Sequence, residues 1–285
     1  MPASVGQQAA ALFSAATFRP VLAGRPTERI DRLVESLRSE ITPSAKTNGE
    51  VIDQAYRHLA AQYRSEYVYK NLIASKMLVG RHRAANAALI HEFRVGDAVA
   101  DCVMINGAAT VYEIKTELDN PDKLVRQLAE YFRAFRLVNV VVHSSDADRY
   151  LSHLAHDPTG IIVVGSRRRL SIAQEAKPFD GELDTRVMFN ALRQSEAAYA
   201  LAACGIEPPE VPNGVRYSQY LELASSIPPS VFQVAFAAAL KIRRIKAVEL
   251  LREPRYETLR SLVVQLNPTP QQEQRLRAWL TRDVR

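Results

Sequence analysis

Asp101, Glu113 and Lys115 are the residues of this 285-residue chain whose types and spacing best support chemistry. They lie in "ADCVMINGAATVYEIK", residues 100–115, where most other positions are apolar or small. Alternate residues of a strand share a face, so Glu113 and Lys115 project together while Tyr112 and Ile114 project to the other side. Asp101 reaches the same place only if the hairpin obeys one condition. A two-residue turn at Asn106-Gly107 pairs positions whose numbers sum to 213, which sets Asp101 beside Tyr112 on the wrong face. A three-residue loop or a bulge raises the sum to 214 and sets Asp101 across from Glu113. Two converging carboxylates make a hard anionic site suited to Mg²⁺ or Mn²⁺. An ion held there polarises a phosphodiester and lowers the pKa of an attacking water, with Lys115 orienting that water or neutralising charge in the transition state. The alternative is that Asp101 and Glu113 are strand-edge carboxylates paired with Lys115 or a nearby arginine.

These residues need a hairpin and neighbours to hold it. Short β-like runs are predicted at Ile90–Val95, Ala100–Ile105 and Thr110–Lys115, with Asn106-Gly107 marking the turn between the last two. "NPDKLVRQLAEYFRAF" then places Leu124, Leu128, Tyr131 and Phe135 at helical spacing behind an Asn120-Pro121 start. "LVNVVVH" (Leu137–His143) is a continuous apolar run, which suits a strand buried on both faces. A short helix at Ala147–Leu154 and strands at Ile161–Val164 and Leu170–Ala173 continue the pattern, "GSRRR" forming the turn between those strands. Before the hairpin the chain reads as helical. Met1–Thr17 forms one amphipathic helix, Thr27 caps a helix burying Ile30, Leu33, Val34 and Leu37, and further helices run over Val51–Tyr63 and Tyr67–Val79, ended by the basic turn "GRHR" (Gly80–Arg83). From Glu182 onward the pattern is helical, broken at "GIEPPEVPNG" and "IPPS". The expected fold is α/β, with segments 1–47 (N-terminal helices), 48–207 (core) and 208–285 (basic helical C-terminal domain).

The order helix, hairpin with Asp and Glu-x-Lys, helix, buried strand resembles the PD-(D/E)XK nuclease superfamily, which has the restriction-endonuclease-like fold. In "QLAEY", Gln127 and Tyr131 are four apart on one helical face, and this Gln-x-x-x-Tyr is similar to that of the RecB-type branch. "EYVYKN…HEFRVG…AD…VYEIKTELD" also resembles an uncharacterised bacterial branch of the superfamily. The resemblance spans residues 50–143 and departs at Ala100, where the family has proline. It implies a core of helix, three-stranded β-meander, helix and strand. It further implies that Asp101 and Glu113 are metal ligands, Lys115 the catalytic lysine, and Gln127 with Tyr131 supports that contact the nucleic acid. Glu92 is a candidate third carboxylate, weighed evenly against a solvent-facing strand residue. Glu66 and Lys70, one turn apart, suit an i,i+4 ion pair better than a place in the site. Glu117 and Asp119 read as loop or cap residues. His91 and His143 lack the partners of a triad.

The expected function is therefore Mg²⁺- or Mn²⁺-dependent hydrolysis of phosphodiesters, of DNA in the first place, in defence, toxin or repair. The alternative is a catalytically inactive module of the same fold that binds nucleic acid or protein. The formal charge is +6. Its excess lies in 241–285, where eleven basic residues stand against five acidic ones. Such a tail offers phosphate contacts, but spaced Arg and Glu on helices more often form a solvated face. "VFQVAFAAAL" offers Val231, Val234, Ala235 and Ala238 for helix packing or oligomer contacts. Cys102 and Cys204 form neither a disulfide framework nor a thiolate zinc site, which fits a reducing cytoplasm. No apolar run approaches the roughly 18 residues of a membrane span, and no glycine-rich phosphate loop is present.

Overall fold

A computed structural model describes residues 4–62, 65–81, 86–116, 121–165 and 168–284. The chain divides into two compact units. The first joins Met1–Ala85 to Ile245–Arg285, and the second is Asn86–Arg244.

The first unit is helical. α1 (Val5–Leu12) and α2 (Ala15–Leu22) replace the single expected N-terminal helix, because the Ser14 side chain caps Thr17 N–H and starts a second one. α3 (Glu28–Ile41) buries Ile30, Val34 and Leu37, although Thr27 makes no side-chain capping bond. α4 (Asn48–Gln62) and α5 (Glu66–Leu72) follow, and a nine-residue π-helix over Ile73–Arg81 takes the second half of the expected Tyr67–Val79 helix. Tyr63 and Arg83, placed by sequence in a helix end and a turn, lie outside the described residues. Glu66 and Lys70 make their i,i+4 ion pair at 2.5 Å.

The second unit is built on a six-stranded sheet in the order β1-β2-β3-β4-β5-β6. β1 (Ala88–Val95), β2 (Ala98–Asn106) and β3 (Ala108–Lys115) form an antiparallel meander. α6 (Pro121–Phe132) crosses to β4 (Leu137–His143), which is parallel to β3, and α7 (Ala147–His153) leads to β5 (Gly160–Val164), parallel to β4. β6 (Leu170–Gln174) returns antiparallel at the edge. Asn120, Glu117 and Asp119, expected as cap and loop residues, lie outside the described residues, as does part of the expected "GSRRR" turn. α8 (Thr185–Asn190), α9 (Gln194–Ala203), α10 (Asn213–Ser225) and α11 (Pro229–Leu240) complete the unit. One apolar core holds Val111, Val140 and Val142 of the sheet with Leu124, Leu128 and Tyr131 of α6 and Phe232 and Phe236 of α11.

The remaining helices, α12 (Val248–Arg252), α13 (Arg260–Leu266) and α14 (Pro270–Leu280), return to the first unit. Asn48 donates to the Trp279 carbonyl, Tyr67 to that of Thr258, and Asn71 accepts from Ser261 N–H. The units thus cut the chain elsewhere than segments 1–47, 48–207 and 208–285. The proline-rich stretch at 208–214 joins α9 to α10 inside one unit, because both pack into the same core as α11. On α11 the buried face is carried by Phe232, Phe236 and Leu240, whereas Val231 and Val234 face solvent, at variance with the expected packing stripe. The large rings fill the core more fully than valine does, and they set the helix's rotation.

Candidate active site

The hairpin condition decides where Asp101 lies. β2 and β3 pair Asn106 with Ala108, Ile105 with Ala109 and Cys102 with Tyr112, an odd arrangement summing to 214. Only Gly107, at φ +83°, separates the last pair, a conformation that glycine adopts without steric cost. Continued one step, this register brings Asp101 level with Glu113. There the ladder ends, and Ile114 N–H donates to Asp101 Oδ2 at 2.7 Å. A side-chain oxygen has taken over the role of a strand carbonyl, so β2 leaves β3 at Asp101.

β1 carries the row further. Its pairing with β2 sums to 193 on both sides of Glu92, which sets Glu92 level with Asp101. Glu92 has φ +53°, a left-handed conformation that costs a non-glycine residue about 1–3 kcal/mol. The reason is visible in the core residues. On β1 the residues packed in the core are Ala88 and Ile90, then Phe93 and Val95; on β2 they are Ile105 and Val103, then Ala100 and Ala98. Both strands change parity at the level of Glu92 and Asp101. A residue in the left-handed region resets the pleat by one position, so the same core is served before and after it. Carboxylate oxygens of Glu92 and Asp101 come within 4.8 Å of one another.

β3 is an interior strand, so Glu113 and Lys115 are buried, 2% and 5% exposed, not set at an edge. Lys115 Nζ donates to Glu113 Oε1 at 2.9 Å and to Gln127 Oε1 at 2.7 Å. Gln127 Nε2 donates to Glu113 Oε1 at 2.7 Å. The Tyr131 hydroxyl lies 2.7 Å from Glu113 Oε2 and 2.9 Å from the Val99 carbonyl; its one proton serves a single acceptor at a time, and the carboxylate is the closer. Burial, then the Glu113 charge, raises the Tyr131 pKa far above its ordinary range, so the hydroxyl remains a donor. Gln127 and Tyr131 meet Glu113 together because they are one turn apart on α6. Of the four lone pairs of the Glu113 carboxylate, three are engaged and one on Oε2 remains.

Sequence reasoning missed the groove beside Glu92. A cavity of about 550 Å³ runs between β1 and the α8–α9 region, lined by Arg94, Arg193 and Arg243 as well as Glu92. No local signal marks it, since its three arginines come from separate segments. Arg243 is held there by Glu196, at 2.6 and 2.7 Å, and over the Phe93 ring at 5.3 Å from its centroid. Burial pushes the Glu196 carboxyl up, but Arg243, the Arg193 N–H and the Arg193 charge together hold it below its ordinary value. In the first unit the basic tail is largely paired: Arg252 with Glu249, Arg255 and Arg277 with Glu253, Arg260 with Glu257, and Arg282 with Asp31. These pairs account for much of the tail's charge as a structural surface. His143 Nδ1 accepts from Ser145 N–H at 3.2 Å and closes the turn after β4.

Among the described residues no helix is long and apolar enough to cross a membrane. No curated protein matches the chain. A solved structure, a protein of unknown function from Silicibacter pomeroyi, is similar over 38% of this chain and 70% of that chain, at 18% identity and a TM-score of 0.28. The family model described as bacteriophage P4 protein cII matches residues 60–262, which take in the whole of the sheet and every candidate residue above. The chain belongs to the family of bacteriophage P4 protein cII.

Proposed function

We propose that the protein is a metal-dependent nuclease of the PD-(D/E)XK kind, hydrolysing phosphodiester bonds of DNA. The observation that carries this reading is the row formed by Glu92, Asp101 and Glu113 at one level of three neighbouring strands, with Lys115, Gln127 and Tyr131 fixed around Glu113. The order of meander, α6 and β4 agrees with the core that the sequence resemblance implies. A simple structural pairing of Glu113 with Lys115 would leave the other features unexplained. Apolar residues of the same volume commonly stabilise a core as well as a buried ion pair does. Nor does such a pairing call for a strained glutamate at the same level.

The donors fit a hard divalent cation. Oxygens of Glu92 and Asp101 are close enough to share one, and Glu113 Oε2 keeps one lone pair. Glu92 and Asp101 would hold Mg²⁺ or Mn²⁺, which supplies Lewis acidity toward a phosphate oxygen and a bound water, while Glu113, expected as a ligand but with its oxygens outside that close pair, would act through a bound water. The chain's own residues do the rest. Tyr131 and Gln127 fix the rotamer of Glu113. Lys115, with two of its three N–H bonds used within the protein, keeps one to orient a water or meet charge on the phosphate. Arg94 and Arg193, lining the groove beside Glu92, suit the flanking phosphates of the strand.

The test is a cleavage assay on plasmid, linear DNA and RNA with Mg²⁺, Mn²⁺ or EDTA, comparing the wild type with Glu113→Gln. Metal-dependent nicking lost in the variant is the expected result. If no substrate is cut while the protein still retains nucleic acid, the same fold serves as a binding module and the hydrolytic reading is overturned.

A further inference from the structure

We propose that the groove beside Glu92 holds an unpaired strand of nucleic acid with one base stacked on Tyr217; this rests on the nuclease reading and specifies a single-stranded substrate for it. Tyr217, in α10, is 57% exposed, yet its ring is fixed. Its hydroxyl donates to Asn190 Oδ1 at 2.7 Å, and the ring meets that of the buried Phe189 edge to face, with centroids 5.7 Å apart. Asn190 itself lines the groove. An aromatic surface is thus held beside the groove by two contacts from α8, with more than half of it open to solvent. A ring ordered before a base arrives loses little entropy in receiving one. Any of the four bases can stack on it, provided that the base is not already stacked within a duplex.

Charge and size agree with a single strand. Arg94 and Arg193 are exposed, and Arg94 is in no ion pair among the described residues. Arg243 is neutralised by Glu196, and Asp97 also lines the groove, so the groove is only mildly basic. A duplex is gripped chiefly through many phosphate contacts, whereas a single strand combines a few of them with stacking. One exposed arginine free of any ion pair, a second at the rim and a fixed aromatic ring match the latter. The cavity's volume of about 550 Å³ lies within the roughly 300–1,000 Å³ that encloses one drug-sized molecule. That is room for about one nucleotide, not for a duplex. Frayed ends, gaps and the melted stretches of supercoiled DNA would supply such a strand.

Fluorescence anisotropy of the full chain in Ca²⁺, a hard cation for the carboxylate row, tests binding apart from cleavage. A labelled single-stranded oligonucleotide should bind at least about tenfold more tightly than the duplex of the same sequence. Deoxyribose and ribose forms run side by side tell which nucleic acid supplies the strand, since stacking and phosphate contacts accept either. Tyr217→Leu should weaken single-strand binding about tenfold and leave duplex binding unchanged. Tyr217→Phe, which keeps the ring, should stay within about threefold of the wild type. Arg94→Gln should lower the salt slope by about 0.7. A 2-aminopurine base in the strand should be quenched on binding the wild type or Tyr217→Phe, but not Tyr217→Leu. Equal affinity of the wild type for single strand and duplex overturns the proposal, as does Tyr217→Leu binding single strands like the wild type. A chain that shows the expected binding but cuts no DNA with Mg²⁺ keeps this ligand and loses the nuclease reading. One that cuts DNA with no preference for an unpaired strand does the opposite.

Discussion

Replacing Lys115 by Met tests whether the buried network is as tightly coupled as its geometry implies. The substitution keeps the aliphatic stem and removes the ammonium, leaving the Glu113 carboxylate, 2% exposed, with only Gln127 and Tyr131 as donors. Breaking a buried pair by deleting one partner costs about 3–5 kcal/mol, because the surviving charge is uncompensated. Against a total stability of about 5–15 kcal/mol this is a large share. The double variant Glu113→Gln/Lys115→Met leaves no charge behind, and the amide oxygen introduced at position 113 can still accept from Gln127 or Tyr131. Its loss should be about 1–2 kcal/mol, the scale of exchanging charge-assisted hydrogen bonds for neutral ones. The single variant is thus expected to be the less stable of the two.

The choice of assay follows from the two units. The chain's one tryptophan, Trp279, belongs to the first unit, so its fluorescence reports the wrong part of the molecule. Hydrogen exchange at the β3 and β4 amides under rising urea reads the second unit directly. If a cation binds the carboxylate row, Mg²⁺ should protect Lys115→Met more than the wild type, since it supplies the missing positive charge. A single variant within about 1 kcal/mol of the wild type, or a double variant no better than the single, would refute the coupling.

Glu92→Gly should stabilise the second unit by about 1 kcal/mol, by relieving the left-handed backbone, while lowering metal-dependent cleavage; calorimetry and the plasmid assay on one preparation check both. Asp101→Asn keeps an oxygen for the Ile114 N–H and so should retain the wild-type melting temperature within about 2 °C while losing cleavage, since only a ligand's charge is removed. Arg243→Ala strands Glu196, 2% exposed, and should cost about 3 kcal/mol by hydrogen exchange in α9 and α11, without acting as the loss of a phosphate contact. Arg277 and then Arg255 hold Glu253 at about 2, against an ordinary 4.5. Its folded pKa is depressed, so its contribution is complete above about pH 4.5 and is lost as pH falls toward 2. Allowing for solvent screening, Glu253→Gln should remove about 1 kcal/mol at neutral pH and only a small part of that by pH 2, read by Trp279 fluorescence.

Much of the second unit was legible because its signals are local. Six strands and the helix bearing Gln127 and Tyr131 follow from periodicity within windows of 5–12 residues. The odd hairpin followed from a condition on Asp101, as Asn106-Gly107 by itself suggests the even one. What escaped was non-local. Arg243 finds Glu196 47 residues away, and Asn48 finds Trp279 across 231, separations no pattern within a segment can reveal. The split first unit has the same cause. The π-helix at Ile73–Arg81 carries no helical periodicity that would tell it from an α-helix, and the break between the two N-terminal helices rests on the single capping residue Ser14.

The departures from local preference are not scattered. Glu92 adopts a conformation suited to glycine or asparagine, Asp101 stands where a strand carbonyl would bond Ile114, and Glu113 is a carboxylate inside an interior strand. Each is unfavourable alone: one strains the backbone, one ends a ladder, one desolvates a charge. They fall at a single level of three adjacent strands, where the core also changes parity. Folding can account for part of this, because resetting the pleat lets both halves of β1 and β2 serve one core. It does not require a carboxylate at each of the three positions. A glycine at 92, an asparagine at 101 and an apolar residue at 113 would meet the structural demands with less strain and less buried charge. The surplus that folding leaves unexplained is negative charge, gathered beside a lysine with one N–H bond to spare. Sequences agree with their folds at most positions and depart from local preference where function intervenes, so this row is the place to look for chemistry.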